Sequence, residues 1–132
     1  MLCKLKPTQP LLLWSVRTPT MYTVQCDLLR GTSVVDSVTW ATGFRNAVFT
    51  GEAGLTLNNE NIKLRGFSHH DSFVGSGVAM PPRLDLFRVQ ASRAVGSNVW
   101  RMSHNPYHPP LYDILDATGV TVWDENRDLG PW

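Results

Sequence analysis

Two periodicities divide the chain. In the first half apolar and polar residues alternate: Tyr22, Val24, Cys26 and Leu28 fall on one face of a strand whose other face carries Thr23, Gln25 and Asp27. A turn at Arg30-Gly31-Thr32 leads into a second strand, Ser33 to Trp40, and Gly43-Phe44-Arg45 into a third, Ala47 to Phe49. Asn58-Asn59 separates Leu55-Thr56-Leu57 from Ile62-Lys63-Leu64 and predicts a tight hairpin, because Asn tolerates the positive φ of a type I′ turn. After Gly66 the spacing becomes helical. Pro81-Pro82 opens a helix with Leu84, Phe87, Ala91 and Ala94/Val95 on its apolar stripe, stopped by Gly96. Pro109-Pro110 opens another with Leu111, Ile114, Leu115 and Thr118, stopped by Gly119. Strands at Ile62–Phe67, Val99–Met102 and Val120–Trp123 bracket these helices, so the second half reads βαβαβ with a parallel sheet. The hinge between the halves lies within Leu57–Arg65.

Composition narrows the classes of function. Twelve Lys+Arg against eleven Asp+Glu leave +1, no footprint for nucleic acid or an anionic membrane surface. The longest apolar run, Leu11-Leu12-Leu13-Trp14, is far short of the ~20 residues of a membrane span. Lys4, Lys6 and Pro7 interrupt any signal-peptide core, which favours a cytoplasmic location. Cys3 and Cys26 make neither a disulfide framework nor a metal knuckle.

Candidate chemistry gathers where the parallel strands end, the side on which such folds meet ligands. The first strand runs into Ser68-His69-His70-Asp71, the second into Arg101 and Ser103-His104-Asn105, the third into Asp124-Glu125-Asn126-Arg127. Taken singly, each cluster also fits turn formers or helix caps. Together they would line one mouth, where imidazole, guanidinium, amide and carboxylate groups match sugar hydroxyls and Trp100 and Trp123 could stack on an apolar sugar face. Other patterns lose weight. His104 and His108 have i,i+4 metal-ligand spacing, but Pro106 and Pro109 forbid the helix that would join them. Gly75-Ser76-Gly77 lacks the context of a phosphate loop, and Ser103 beside His104 is no nucleophile–base pair. The Trp and Phe residues of the first half read as core, and Glu52 and Glu60 as solvated turn charges.

Asn98-Val99-Trp100-Arg101-Met102-Ser103-His104-Asn105-Pro106, Asp116-Ala117-Thr118-Gly119 and Val122-Trp123-Asp124-Glu125 resemble the first signature of glycoside hydrolase family 2: N-x-x-R-x-S-H-Y-P, a helix with D-x-x-G, and a hydrophobic strand ending in D-E. Leu13-Trp14-Ser15 with Pro19 and Tyr22 resembles the family's "LWSPExPxLY", Gly43-Phe44-Arg45 its "GFR", and Leu57-Asn58 with Leu64-Arg65-Gly66 its "LNGKxxxLRG". Gly66 through Pro81, followed by Asp124-Glu125-Asn126-Arg127, is closest to the β-galactosidases of the family. Met102, Asn105 and Asn59 depart from the usual small residue, tyrosine and glycine, and Ser72 and Phe73 stand where relatives often carry Asp and His.

The resemblance implies the end of an immunoglobulin-like β-sandwich over residues 1–56, then α/β structure: a truncated (β/α)8 TIM barrel with about three parallel strands over 57–132. It implies that His70, His104 and Asn105 contact the sugar, with Asp71, Asp124, Glu125 and Asn126 as further mouth residues, and that Arg101 orients the nucleophilic carboxylate. No metal ligand set is recognisable, although a divalent metal is compatible with a full-length enzyme, as is an oligomer. The family retains configuration with an acid/base glutamate after strand 4 and a nucleophile after strand 7. Glu52, Glu60 and Glu125 are the only glutamates, the chain ends at Trp132 just past strand 3, and no residue occupies either role. The expectation is a fragment of a β-galactosidase-like hydrolase of terminal β-D-galactosides, inactive alone and a poor independent folder. The alternatives are a non-catalytic carbohydrate-binding relative and the same fold acting on β-glucuronides or β-mannosides.

Overall fold

The structure, a computed structural model, describes residues 7–126. Strands β1 (Tyr22–Arg30) and β2 (Ser33–Thr42) pair antiparallel, with a bulge between Leu28 and Leu29. The register puts Val24 opposite Trp40 and Cys26 opposite Val38, so the apolar side chains share a face. Among the described residues no other strand pairs with this hairpin, and Trp40 remains 45% exposed. The core reading of the first-half aromatics therefore fails at Trp40 and Phe49, because no second layer lies against them. Trp14 is the exception. It is buried, its N–H donates to Phe44 O at 2.8 Å and its indole Nε1 to Asp116 O at 2.7 Å, which fastens the N-terminal segment to the second half.

Strands β3 (Ala47–Thr50), β4 (Gly54–Leu57) and β5 (Glu60–Asn61) form a small antiparallel sheet. Asn58 and Asn59 turn between β4 and β5 at φ 54° and 68°, the left-handed values a type I′ turn needs. The partner of β4 is Glu60–Asn61, however, and not Ile62–Leu64. Beyond Ile62, whose N–H still reaches Leu55 O, Asn98 takes over the backbone: its Nδ2 donates to Lys63 O and its Oδ1 accepts from Arg65 N.

Strand β6 (Gly66–His69), helix α1 (Pro82–Ala94), strand β7 (Val99–Met102), helix α2 (Pro109–Thr118) and strand β8 (Thr121–Trp123) follow as a βαβαβ unit with parallel order β6-β7-β8. The first parallel strand starts at Gly66, four residues later than the pattern suggests. Gly66 sits hard against the Val99 carbonyl, so no side chain fits where the two strands first meet. Gly119 caps α2 at φ 74°, and a Cβ there would lie 2.5 Å from Val16 O.

Register and alternation put Ser68, Val99, Arg101, Thr121 and Trp123 on one face of the sheet and Phe67, His69, Trp100, Met102 and Val122 on the other. The second face meets the helices: Trp100 and Met102 cluster with Val89, Tyr107, Leu111, Leu115 and Val120. Helix α2 turns inward the stripe its spacing predicts, with Leu111 and Leu115 buried and Ile114 and Thr118 half-buried, but α1 does not. Its buried residues are Asp85, Val89 and Ser92, whereas Phe87 and Val95 are 59% and 71% exposed. A stripe led by a carboxylate is invisible to hydrophobic periodicity, and here the carboxylate has a partner inside.

A candidate carbohydrate site at the strand ends

Arg101 is the centre of the mouth. It points to the face opposite the helices because Trp100 and Met102, its neighbours in β7, are both fully buried on the helix side. Its Nε lies 2.5 Å from Glu125 Oε1, and its Nη1 donates to Ser68 Oγ at 2.8 Å and Ser103 Oγ at 3.2 Å. The guanidinium thus joins all three strand ends. Among the described residues its Nη2 has no partner, and the side chain is 38% exposed. A fixed, part-exposed guanidinium with a donor to spare suits an anionic or hydroxylic group in the mouth.

The other carboxylate oxygen of Glu125 takes His104, whose Nδ1 lies 3.0 Å from Oε2. The His104 ring meets the exposed His70 ring edge-on, at 5.9 Å between centroids. Asn105 Nδ2 donates to Asp71 Oδ2 at 3.3 Å, a second bridge between the same two loops. Residues from three loops, His70 and Asp71, His104 and Asn105, and Glu125, are therefore brought together around Arg101. Asp124 is turned toward α2, where its Oδ2 accepts from the Tyr112 hydroxyl at 3.0 Å, and Asn126 is exposed. Arg127 lies outside the described residues.

Two expectations are corrected. Trp100 cannot stack on a ligand in the mouth: it is completely buried, and His69 stacks on it at 3.3 Å between ring centroids. The indole on the mouth side is Trp123, 59% exposed. His69 leaves the mouth with Trp100, since it too faces the helices. Burial there, with the nearby Arg88 guanidinium adding to it, lowers its pKa to about 4, so it is neutral at neutral pH. His104 and His108 diverge, the first to Glu125 and the second to Asp85 on α1, 2.6 Å from Nε2. Among the described residues no group of three His, Cys, Asp or Glu could hold a metal ion.

The sequence does not single out Tyr107, Asp85 or Arg88. The Tyr107 hydroxyl sits against the carbonyls of His69 and of Ser103, the latter at 3.1 Å, closing one loop onto the other. Burial, with Asp71 nearby, pushes its pKa up to about 12, so it stays a donor. Tyr107 directly follows Pro106, the last position of the motif, and that adjacency was its one available signal. A cavity of 660 Å³ opens at the free edge of β8, between α2 and the β3–β4 hairpin. It reaches the mouth through Trp123 and Asp124 and contains neither Arg101 nor His104.

Comparison with known proteins decides the family. The sequence model described as "Glycosyl hydrolases family 2, TIM barrel domain" matches residues 49–130, and that described as "Glycosyl hydrolases family 2" matches residues 3–45. The chain belongs to glycoside hydrolase family 2. Among curated relatives, a putative beta-glucuronidase of Formosa agariphila is 36% identical over 120 residues, 91% of this chain and 12% of the relative. A beta-galactosidase of Kluyveromyces lactis is 34% identical over 113 residues, 85% of this chain and 11% of the relative. The solved structure of a beta-glycosidase from Bacteroides vulgatus superposes with TM-score 0.84 at 34% identity, over 87% of this chain and 15% of that one. The chain thus spans about an eighth of the length of these curated family members. The match covers the end of the immunoglobulin-like region and the opening strands of the barrel.

Proposed function

We propose that this chain is the part of a retaining, β-galactosidase-like hydrolase that orients the sugar, and that it does not perform the cleavage. In this reading residues 1–56 complete a sandwich domain and 57–132 open the barrel. His70, His104 and Asn105 contact sugar hydroxyls, and the remaining donor of Arg101 aims the nucleophilic carboxylate. Asp71 and Glu125 hold the donors in place, and Trp123 offers an apolar wall. The observation that carries the reading is the Arg101–Glu125–His104 chain of contacts, with His70 against it: donors from separate strand ends converge on one opening. In this reading Glu125 holds Arg101 and His104 in place and serves as neither acid/base nor nucleophile. Retaining hydrolysis needs two carboxylates about 5–5.5 Å apart, and this reading places that pair on later barrel strands. Galactosides are preferred over glucuronides or mannosides on the resemblance of Gly66 through Pro81 and Asp124-Glu125-Asn126-Arg127.

The test is direct. The purified chain is assayed against nitrophenyl β-galactoside, β-glucuronide and β-mannoside, and the corresponding free sugars are titrated while reactivity of His70 and His104 toward diethyl pyrocarbonate is followed. The proposal expects turnover at the buffer rate and protection of both histidines by galactose first. Turnover that co-purifies with the chain and is abolished by Glu125→Gln would defeat the division of labour. Absence of protection by any of the sugars would defeat the sugar site.

A further inference from the structure

We infer that Asp85 and Arg88, one turn apart on the buried side of α1, are positioning residues that clamp the two histidine-bearing loops so that His70 and His104 meet. Asp85 is completely buried in the first turn of α1. A carboxylate there is costly unless paired, and its partner is His108 Nε2 at 2.6 Å. His108 is the N-cap residue of α2 and the last residue of the loop that carries His104 and Asn105. Arg88, whose Nη1 lies 3.9 Å from Asp85 Oδ1, takes the other loop: its Nη2 donates to the His70 carbonyl at 2.7 Å. The same guanidinium lies over the rings of Phe73, farther along that loop, and of Trp100 in β7. One buried carboxylate thus connects, through one histidine and one arginine, to the backbone supports of both mouth histidines. Asp85 does not contact the mouth residues, and of these Arg88 reaches only the backbone carbonyl of His70. A site whose groups stand on loops is only as well placed as the contacts that hold the loops.

This inference rests on the sugar-site reading for its functional consequence but not for its geometry. The experiment separates the two. Histidine pairs in contact are crosslinked by singlet oxygen and read by mass spectrometry at low protein concentration. Circular dichroism verifies that the helices persist. The parent chain should give a His70–His104 crosslink. Asp85→Asn and His108→Ala should reduce it several-fold with the helix signal unchanged. His108→Gln, whose amide nitrogen can replace Nε2 as the donor to Asp85, should restore it. If Asp85→Asn does not fold, the His108→Ala and His108→Gln pair decides, since that side chain is already 32% exposed. An undiminished crosslink in His108→Ala would overturn the clamp and assign loop placement to Tyr107 and the Asp71–Asn105 contact. Galactose protection of the two histidines should weaken about tenfold in His108→Ala, the loss of one charge-assisted hydrogen bond. If the parent shows no sugar protection while the crosslink follows the Asp85 contact, the clamp stands and the sugar reading falls.

Discussion

At the scale of single residues, the mouth is organised by one carboxylate. Glu125 satisfies Arg101 and His104 at once, and its own side chain is only 19% exposed. Replacing it with Gln keeps the shape but leaves the guanidinium without its counter-charge. Glu125→Gln should lower stability by about 1 kcal/mol in urea titrations. The loss should shrink as salt is added, because the part-exposed Arg101 is then screened. A second residue governs pH. His69 titrates at about 4 when folded, mainly because burial disfavours its charged form, against 6.5 unperturbed. Its proton therefore binds the unfolded chain more readily, so its contribution to stability is complete above pH 6.5 and is lost as pH falls toward 4. Below that both states carry the proton and no further loss follows. His69→Phe preserves an aromatic ring against Trp100 and removes the titration. Urea midpoints measured from pH 7 to pH 4 should fall more steeply for the parent than for the variant, and parallel curves would remove His69 as the cause.

At the scale of elements, stops and turns were legible, and so was the face of α2, but not that of α1. Gly119 and Asn58-Asn59 mark chain reversals because few residues accept a positive φ, a constraint local enough to read from one position. The face α1 buries depends on what Asp85 finds across the interface, and no window of sequence contains that partner, which lies 23 positions away. Trp100 was hidden for a different reason. Its place in the motif suggests the mouth, but alternation along β7 gives the mouth to Arg101 and the helix side to Trp100. The strand-end residues were legible in position because parallel strands present their ends together. Their partners, such as Glu125 for both Arg101 and His104, are set by how the three loops fold over the sheet. The cap gives a stability prediction. Gly119→Ala forces an L residue into the left-handed region and drives its Cβ to 2.5 Å from Val16 O. The expected cost is about 2 kcal/mol. Because Arg93 Nη1 donates to Gly119 O at 3.0 Å and to Val16 O at 3.3 Å, the variant should also loosen the N-terminal segment, read as faster amide exchange around Trp14.

At the scale of the whole molecule, the chain shows more surface than its mass warrants. Its accessible area is 10033 Å², whereas a compact monomer of 14.8 kDa exposes about 7,000 Å². Large apolar side chains are exposed where layers are lacking: Leu28, Val38 and Trp40 on the β1–β2 hairpin, Phe49 on β3, Phe67 on β6 and Phe87 on α1. Among the described residues β6 and β8 each have a neighbour on one side only, and open parallel edges invite pairing with other chains. Where a barrel is complete, its closure supplies that second neighbour. The cluster around Trp100, Met102, Leu111 and Leu115 is closed on itself. Stability should therefore be uneven, with slow amide exchange in β7 and exchange near the unstructured rate in β1 and β2. The purified chain should bind a hydrophobic dye and self-associate as its concentration rises. A monodisperse monomer that binds no dye and protects the β1–β2 amides as well as those of β7 would show that the hairpin has found a packed layer of its own. The exposed face would then be no docking surface for the rest of a sandwich, and the reading of this chain as one part of a larger hydrolase would lose its thermodynamic support.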